Sequence, residues 1–152
     1  MITVTVVNRT AVLTPGPTLG RLVRRAAGRI RDAAQASGRL RQITIVCITP
    51  GESRRLKRKF LRQDRPADVL SFRYGREGEI LLAPAVIRRD ARRTGRAYRR
   101  VLPELALHGL LHLFGYHHEG SPSAARKFEA RERSLLESSG LARGVSAAYK
   151  YY

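Results

Sequence analysis

The run His108-Gly109-Leu110-Leu111-His112-Leu113-Phe114-Gly115-Tyr116-His117-His118 decides how this chain is read, because it holds all four of its histidines. His108 and His112 are four residues apart, so on an α-helix they project from one face about one turn apart. Gly115 stands three residues further on, where helices commonly end in a left-handed conformation that glycine adopts at least cost. Beyond that stop the chain can swing back and carry His118 toward the other two. Three neutral imidazoles around one point, with a fourth position left for water, are the ligand set of a catalytic zinc site. A stack of core histidines is the alternative, and the glycine stop with its third histidine argues against it. His117 adjoins His118, and neighbours rarely reach the same ion, so it reads as a nearby solvated or ligand-orienting group.

Upstream, Leu102, Leu105 and Ala106 join Leu110, Leu111 and Leu113 in surrounding the histidines with apolar side chains. The helix carrying them is therefore expected at the centre of the fold, ending at Phe114, with Pro103 at its start or kinking it. A buried helix holds its ligands rigidly, as a preformed metal site needs. The same histidine spacing occurs in the metzincin protease signature H-E-x-x-H-x-x-G-x-x-H. Here Gly109 stands where that signature has its general base, and glycine takes no proton. Proteolysis by that route is disfavoured.

Ile2 to Val7 alternates and is rich in β-branched residues, which reads as a strand. Thr18 can cap a helix whose apolar positions Leu19, Leu22, Val23, Ala26, Ile30 and Ala33 or Ala34 recur at helical spacing, with Gly38 as its stop. Ile43 to Ile48 is a near-continuous apolar strand, expected to be buried on both faces. The strand–helix–strand order suggests that these two strands pair in parallel. Glu52 to Leu61 reads as a very basic helix with Leu56 and Phe60 on its one apolar face. Val69 to Tyr74 and Glu79 to Leu82 are expected to form a hairpin through Gly75 and Gly78. Pro84 opens a helix running to about Arg93, before Thr94-Gly95 interrupts it. Ser121-Pro122 reads as the cap and first residue of a last helix that ends near Ser139, with Gly140 as its stop. These elements predict one α+β domain over residues 1–141. Its small mixed four-stranded sheet would pack with about five helices, the central one carrying the three-histidine site. Residues 142–152 read as a C-terminal tail without periodicity, disordered or packed back through its tyrosines.

The 152 residues carry a net charge of +18, from 30 basic and 12 acidic side chains. A single domain of this length buries about two-thirds of its unfolded surface. Such a charge builds a positive potential that attracts polyanions. Nearly all the cations are arginine, beside abundant alanine and glycine, a bias of G- and C-rich coding sequences. That bias explains arginine in place of lysine but not the shortage of acids, which points to a nucleic-acid partner. Arg54, Arg55, Lys57, Arg58, Lys59 and Arg62 crowd the second helix, and Arg88, Arg89, Arg92, Arg93, Arg96, Arg99 and Arg100 flank the helix leading into the histidine site. Like charges four apart, such as Arg88 and Arg92, repel by about 0.2–0.5 kcal/mol. A face that tolerates this repulsion suits phosphates; a solvated face of an arginine-biased protein is the plain alternative. The candidate nucleic-acid contacts are therefore the six basic residues of the second helix with Arg88 and Arg92. Binding would follow backbone charge and single-strand shape and fall steeply with salt. With no tryptophan and few aromatics near these stretches, base-specific stacking is weakly supported. Cys47, the sole cysteine, lies in an apolar run and reads as a small buried hydrophobe with no disulfide partner. Nothing resembles a signal peptide, and no apolar run approaches the roughly 20 residues needed to cross a bilayer. A soluble, cytoplasmic protein without a membrane partner is expected.

His108 to His118 closely resembles the H-G-x-L-H-L-x-G-Y-D-H signature of the YbeY-type endoribonucleases, also called rRNA maturation factors. Asp64-Arg65-Pro66-Ala67-Asp68-Val69-Leu70-Ser71-Phe72 is similar to that family's D-x-P-T-D-V-L-S-F stretch, and Gly78-Glu79-Ile80 to its G-D-I. The departures are His117 for an aspartate, Ala67 for a threonine, and Lys57 and Leu61 where the family usually has an asparagine and an arginine. The resemblance implies one zinc per chain and a single-strand-specific endoribonuclease. Its substrate would be ribosomal precursor RNA, at the 3′ end of 16S rRNA, with a part in ribosome quality control. The bacterial cytoplasm would be its setting and the small ribosomal subunit a further partner. It also implies a catalytic arginine, for which Leu61 leaves Arg62 or Arg58 as substitutes.

The expected chemistry is metal-assisted phosphodiester cleavage with His108, His112 and His118 as ligands. Either the ion activates a water, lowering its pKa toward about 7, or it binds a phosphate oxygen while the RNA 2′-hydroxyl attacks. Glu104, one turn before His108, is a candidate to orient a ligand or act as base, and equally a surface acid. Asp68 is as readily a structural cap as an acid. Two other classes stay open. One is a metal-dependent hydrolase of a peptide or small ester. The other is an RNA or ribosome assembly factor with a structural zinc, whose only obvious fourth ligand nearby is His117.

Overall fold

The computed structural model describes residues 2–30 and 39–141. Strands β1 (Thr3–Asn8) and β2 (Gln42–Cys47) run parallel, with Val4 opposite Ile43 and Val6 opposite Ile45. β3 (Val69–Tyr74) and β4 (Glu77–Leu82) form the antiparallel hairpin, and β4 pairs in parallel with β2. The order β1-β2-β4-β3 puts the two most apolar strands at the centre, where both faces are covered. Because side chains alternate along a strand, Ile43, Ile45, Ile80 and Leu82 enter one layer and Val46 and Leu81 the other.

The first layer is closed by α1 (Gly16–Ala27) and α4 (Tyr98–Leu113), with α5 (Pro122–Ser138) packed on α4. In the second layer Leu56 of α2 (Pro50–Leu61) packs among Val46, Leu70 and Leu81. α3 (Pro84–Arg93) reaches both, through Ile87 and Ala91 on one side and Val86 on the other. Among the described residues this is one α+β domain of four strands and five helices, with α4 at its centre. Leu102, Leu105, Leu107, Leu110, Leu111 and Leu113 are each at most 2% exposed. Burying each contributes about 1.5–3 kcal/mol relative to leaving it in water, so α4 is fixed before any ligand binds.

Several local details depart from the sequence reading. α1 starts at Gly16 with a proline in its first turn, so Thr18 lies inside the helix and caps nothing. It closes at Gly28, and the expected positions Ala33, Ala34 and Gly38 lie outside the described residues. α2 starts earlier than Glu52, because Thr49 accepts a hydrogen bond from the Glu52 amide and Pro50 opens the first turn. Its most buried residues are Ser53 and Lys57, whereas Phe60 is 53% exposed. Ser53 explains this orientation: its hydroxyl both donates to and accepts from the Ala67 backbone, tying that side of α2 to the loop before β3. Pro103 lies inside α4 and not at its start.

Gly78 is not in the hairpin turn, which is Gly75-Arg76 with Gly75 at φ 62°. Gly78 instead lies in β4 beneath α4, where a Cβ would meet Leu113 Cδ1 at 2.8 Å. Gly109 makes the same allowance from the helix side: a Cβ there would lie 2.9 Å from Ser71 Oγ and 3.0 Å from Ile80 Cγ2. Two glycines facing across the layer thus let α4 lie directly on β3 and β4. Ser71 Oγ donates to the Gly109 carbonyl at 2.9 Å, and Arg73 Nη1 donates to the Leu113 carbonyl at 2.9 Å. The two repeats match: two strand residues advance about 6.6 Å and four helix residues about 6 Å. Gly109→Val should therefore overpack this contact and cost roughly 1–3 kcal/mol, read as a lower urea midpoint. An unchanged midpoint would show that the close approach is not required.

Candidate metal centre

The end of α4 is closed by a glycine turn of defined geometry. The Gly115 amide donates to the His112 carbonyl and the Tyr116 amide to the Leu111 carbonyl, both at 3.1 Å. This paired closure requires a left-handed residue, and Gly115 supplies it at φ 89°. The chain then doubles back, and His118 returns to the helix it has just left.

One ligand nitrogen from each of His108, His112 and His118 lies within 4.8 Å of the others. The Nε2 atoms of His108 and His112 are 3.3 Å apart. Two nitrogens bound about 2.0–2.1 Å from a tetrahedral ion would be about 3.3 Å apart. Phe128 of α5 lies against all three rings, with centroid distances of 5.0, 4.9 and 5.1 Å to His108, His112 and His118. It sets their spacing and keeps water from one side.

His108 Nδ1 donates to Glu132 Oε2 at 2.6 Å, which fixes the ring and leaves Nε2 to face the cluster. His118 Nε2 is buried and, among the described residues, has no hydrogen-bond partner. A buried nitrogen left unpaired costs about 1–3 kcal/mol, which a bound cation would recover. Burial, and then the neighbouring His108, His118 and His117, push the His112 pKa down to about 3. His112 is thus neutral at pH 7, the form in which imidazole binds a metal. The donor set fits a metal ion on each of these counts. His117 stands apart, exposed and 5.6 Å from His112 between ring centroids, outside the three-residue cluster.

A cavity of about 470 Å³ opens beside the cluster, walled by His108, Gly109 and His112 of α4, Val69 to Arg73 of β3, and Phe60 and Leu61 of α2. The ion would therefore sit at the edge of an open space.

Other candidate residues lie elsewhere. Arg62 is exposed at the end of α2, in a left-handed conformation at φ 55°, and does not line the cavity. Glu104 is buried and takes a hydrogen bond from Arg96 at 2.7 Å; burial raises its pKa, and Arg96 opposes that rise. Asp68 is also buried, with Oδ1 accepting from the Val69 amide, and burial raises its pKa. Of the basic residues of α2, Arg54 and Arg58 both bind Asp64 and hold its carboxyl far below the usual carboxylate range. Arg55 and Lys59 are exposed. Lys57 is buried and lines a second, smaller cavity with Arg65, Asp68, Arg89 and Arg93; burial, then Arg65, lowers its pKa. Arg88 and Arg92 are exposed on α3.

Sequence reasoning passed over Glu132 and Phe128. The signal was there in α5: Phe128, Glu132, Leu135 and Leu136 share one helical face, so a carboxylate stands in an otherwise apolar stripe. Glu132→Gln should weaken divalent-metal affinity about 10–100-fold, measured by competition with a chromophoric chelator. Unaltered affinity would mean that Glu132 does not orient His108.

Residues 8–140 match the family described as Endoribonuclease YbeY. A curated relative of that name in Thermotoga maritima is 31% identical over 98 residues, covering 62% of this chain and 65% of its own. One in Geobacter sulfurreducens is 39% identical over 102 residues, covering 58% and 68%. One in Halorhodospira halophila is 31% identical over 118 residues, covering 70% and 76%. The chain thus spans about 65% of the length of the Thermotoga maritima relative. The solution structure of a Thermotoga maritima protein shares the fold, with a TM-score of 0.57 at 21% identity over 95% of this chain and 97% of that one. No helix among the described residues is long and apolar enough to cross a membrane. With the glycine-closed histidine helix and its hairpin in place, and the match running through both, this chain belongs to the YbeY family.

Proposed function

We propose that this protein is a zinc-dependent endoribonuclease that cuts single-stranded RNA. One observation carries the reading: three imidazoles converge on one point, two of them, His108 and His112, in the wall of an open cavity. His108, His112 and His118 would hold one zinc ion. When bound, the ion supplies Lewis-acid chemistry at a phosphate or at a water.

The chain's own residues do the rest. Glu132 keeps His108 in the tautomer that presents Nε2, and Phe128 excludes water behind the three rings. Gly109 lets α4 lie close on β3, which brings His108 and His112 beside the strand that forms the facing wall. Phe60, Leu61 and Phe72 make one wall apolar, with Phe60 and Phe72 in ring contact at 5.1 Å. An unpaired base can lie against such a wall more readily than a base pair. The exposed cations, among them Arg55, Arg62, Arg88 and Arg92, would draw the RNA backbone toward it.

The name shared by the relatives, Endoribonuclease YbeY, supports RNA as the substrate. Ribosomal precursor RNA, cut at the 3′ end of 16S rRNA in the cytoplasm, is the finer substrate we propose, with the small ribosomal subunit as partner and ribosome quality control as a further role. A structural zinc is the weaker reading, because His117 stands outside the cluster and, among the described residues, no fourth side chain joins it. Glu104, bound to Arg96, is a poorer choice than Glu132 for orienting a ligand.

The test compares metal-stripped, zinc-restored and His112→Ala protein on one single-stranded RNA and its duplex. Cutting of the single strand by zinc-restored protein alone is expected, with His112→Ala falling to the metal-stripped level. Equal cutting by all three preparations would end the proposal.

A further inference from the structure

We propose that Arg73 grips a phosphate of the RNA strand in the cavity beside the histidines; this rests on the nuclease reading above. A phosphodiester under attack gains negative charge on its non-bridging oxygens, and a metal at one side leaves the other to be met by the protein. α2 is crowded with cations, yet it turns only Phe60 and Leu61 into this cavity. Its Arg54 and Arg58 are bound to Asp64, and its Lys57 lines the second cavity. Among the described residues that line the histidine cavity, Arg73 is the one lysine or arginine.

Its placement is built into the fold. Arg73 follows Ser71 on the face of β3 that meets α4. Nη1 donates to the Leu113 carbonyl and Nε to the Gly75 carbonyl, both at 2.9 Å. Leu113 directly follows His112, so the guanidinium is held at the histidine end of α4, half-buried in the wall. The partial negative charge of a helix C-terminus favours a cation there. A guanidinium held by two carbonyls loses little freedom when it meets a phosphate oxygen. Arg73 forms no covalent bond and moves no proton. It places the strand and offsets charge that grows during cleavage.

The test uses zinc-loaded wild type, Arg73→Ala and Arg73→Lys. Zinc content should stay at one per chain in all three. Cleavage efficiency should fall on the order of 10²-fold in Arg73→Ala and recover in part in Arg73→Lys. Binding is then measured to an oligoribonucleotide series in which one phosphate at a time is an uncharged methylphosphonate. One linkage should weaken wild-type binding when neutralised and have no further effect in Arg73→Ala. Zinc loss in both variants would make Arg73 a cap of α4 and overturn the inference. So would wild-type rates in Arg73→Ala, or additive effects at every linkage, with the nuclease reading left standing. Wild-type protein that leaves RNA intact would remove both.

Discussion

The close seating of α4 on the β3–β4 hairpin is the contact on which the rest of the molecule depends. It exists because Gly109 and Gly78 carry no side chains where helix and strand meet. Ser71 and Arg73 bond the backbone of α4 at Gly109 and Leu113, so the helix cannot slide along its axis. Since His108 and His112 ride on that helix, their position is set by the sheet. His118 is then set by the turn at Gly115, and Phe128 and Glu132 close the arrangement from α5. A metal arriving at such a site would find its ligands already oriented, with little ordering entropy left to lose.

The same glycine that permits this packing separates the site from a zinc protease. In the metzincin pattern the position after the first histidine carries a general base. Here that position points into β3, where no side chain fits. The loss of the base and the close helix–sheet contact are therefore one fact seen from two sides. Any proton transfer at this site has to involve a group other than the residue after the first histidine.

The metal centre was legible because its three ligands lie within eleven consecutive residues, and local rules of helix spacing and glycine closure govern how they meet. The sheet was legible for the same reason, in the alternation of Ile2 to Val7 and the apolar run at Ile43. What escaped depends on contacts between distant segments. Glu132 and Phe128 reach the histidines only through the docking of α5. Gly78 read as a turn residue because glycine serves turns and close approaches alike, and only the position of Leu113 separates the two. Lys57 read as one more surface cation, yet Ser53 one turn earlier ties that side of α2 to the Ala67 backbone and buries it. Composition announced the charge, but only the fold shows which cations face the histidines. Arg54 and Arg58 are committed to Asp64, while Arg73 belongs to no basic run in the sequence.

One helix, its glycine turn and the returning chain bring three imidazoles together, where they would hold a single ion. X-ray absorption at the zinc edge of the reconstituted protein tests it most directly. Three imidazole rings and one further light ligand are expected, with nitrogens about 2.0–2.1 Å from the metal. A shell with two imidazoles or fewer, completed by other oxygens, would contradict it.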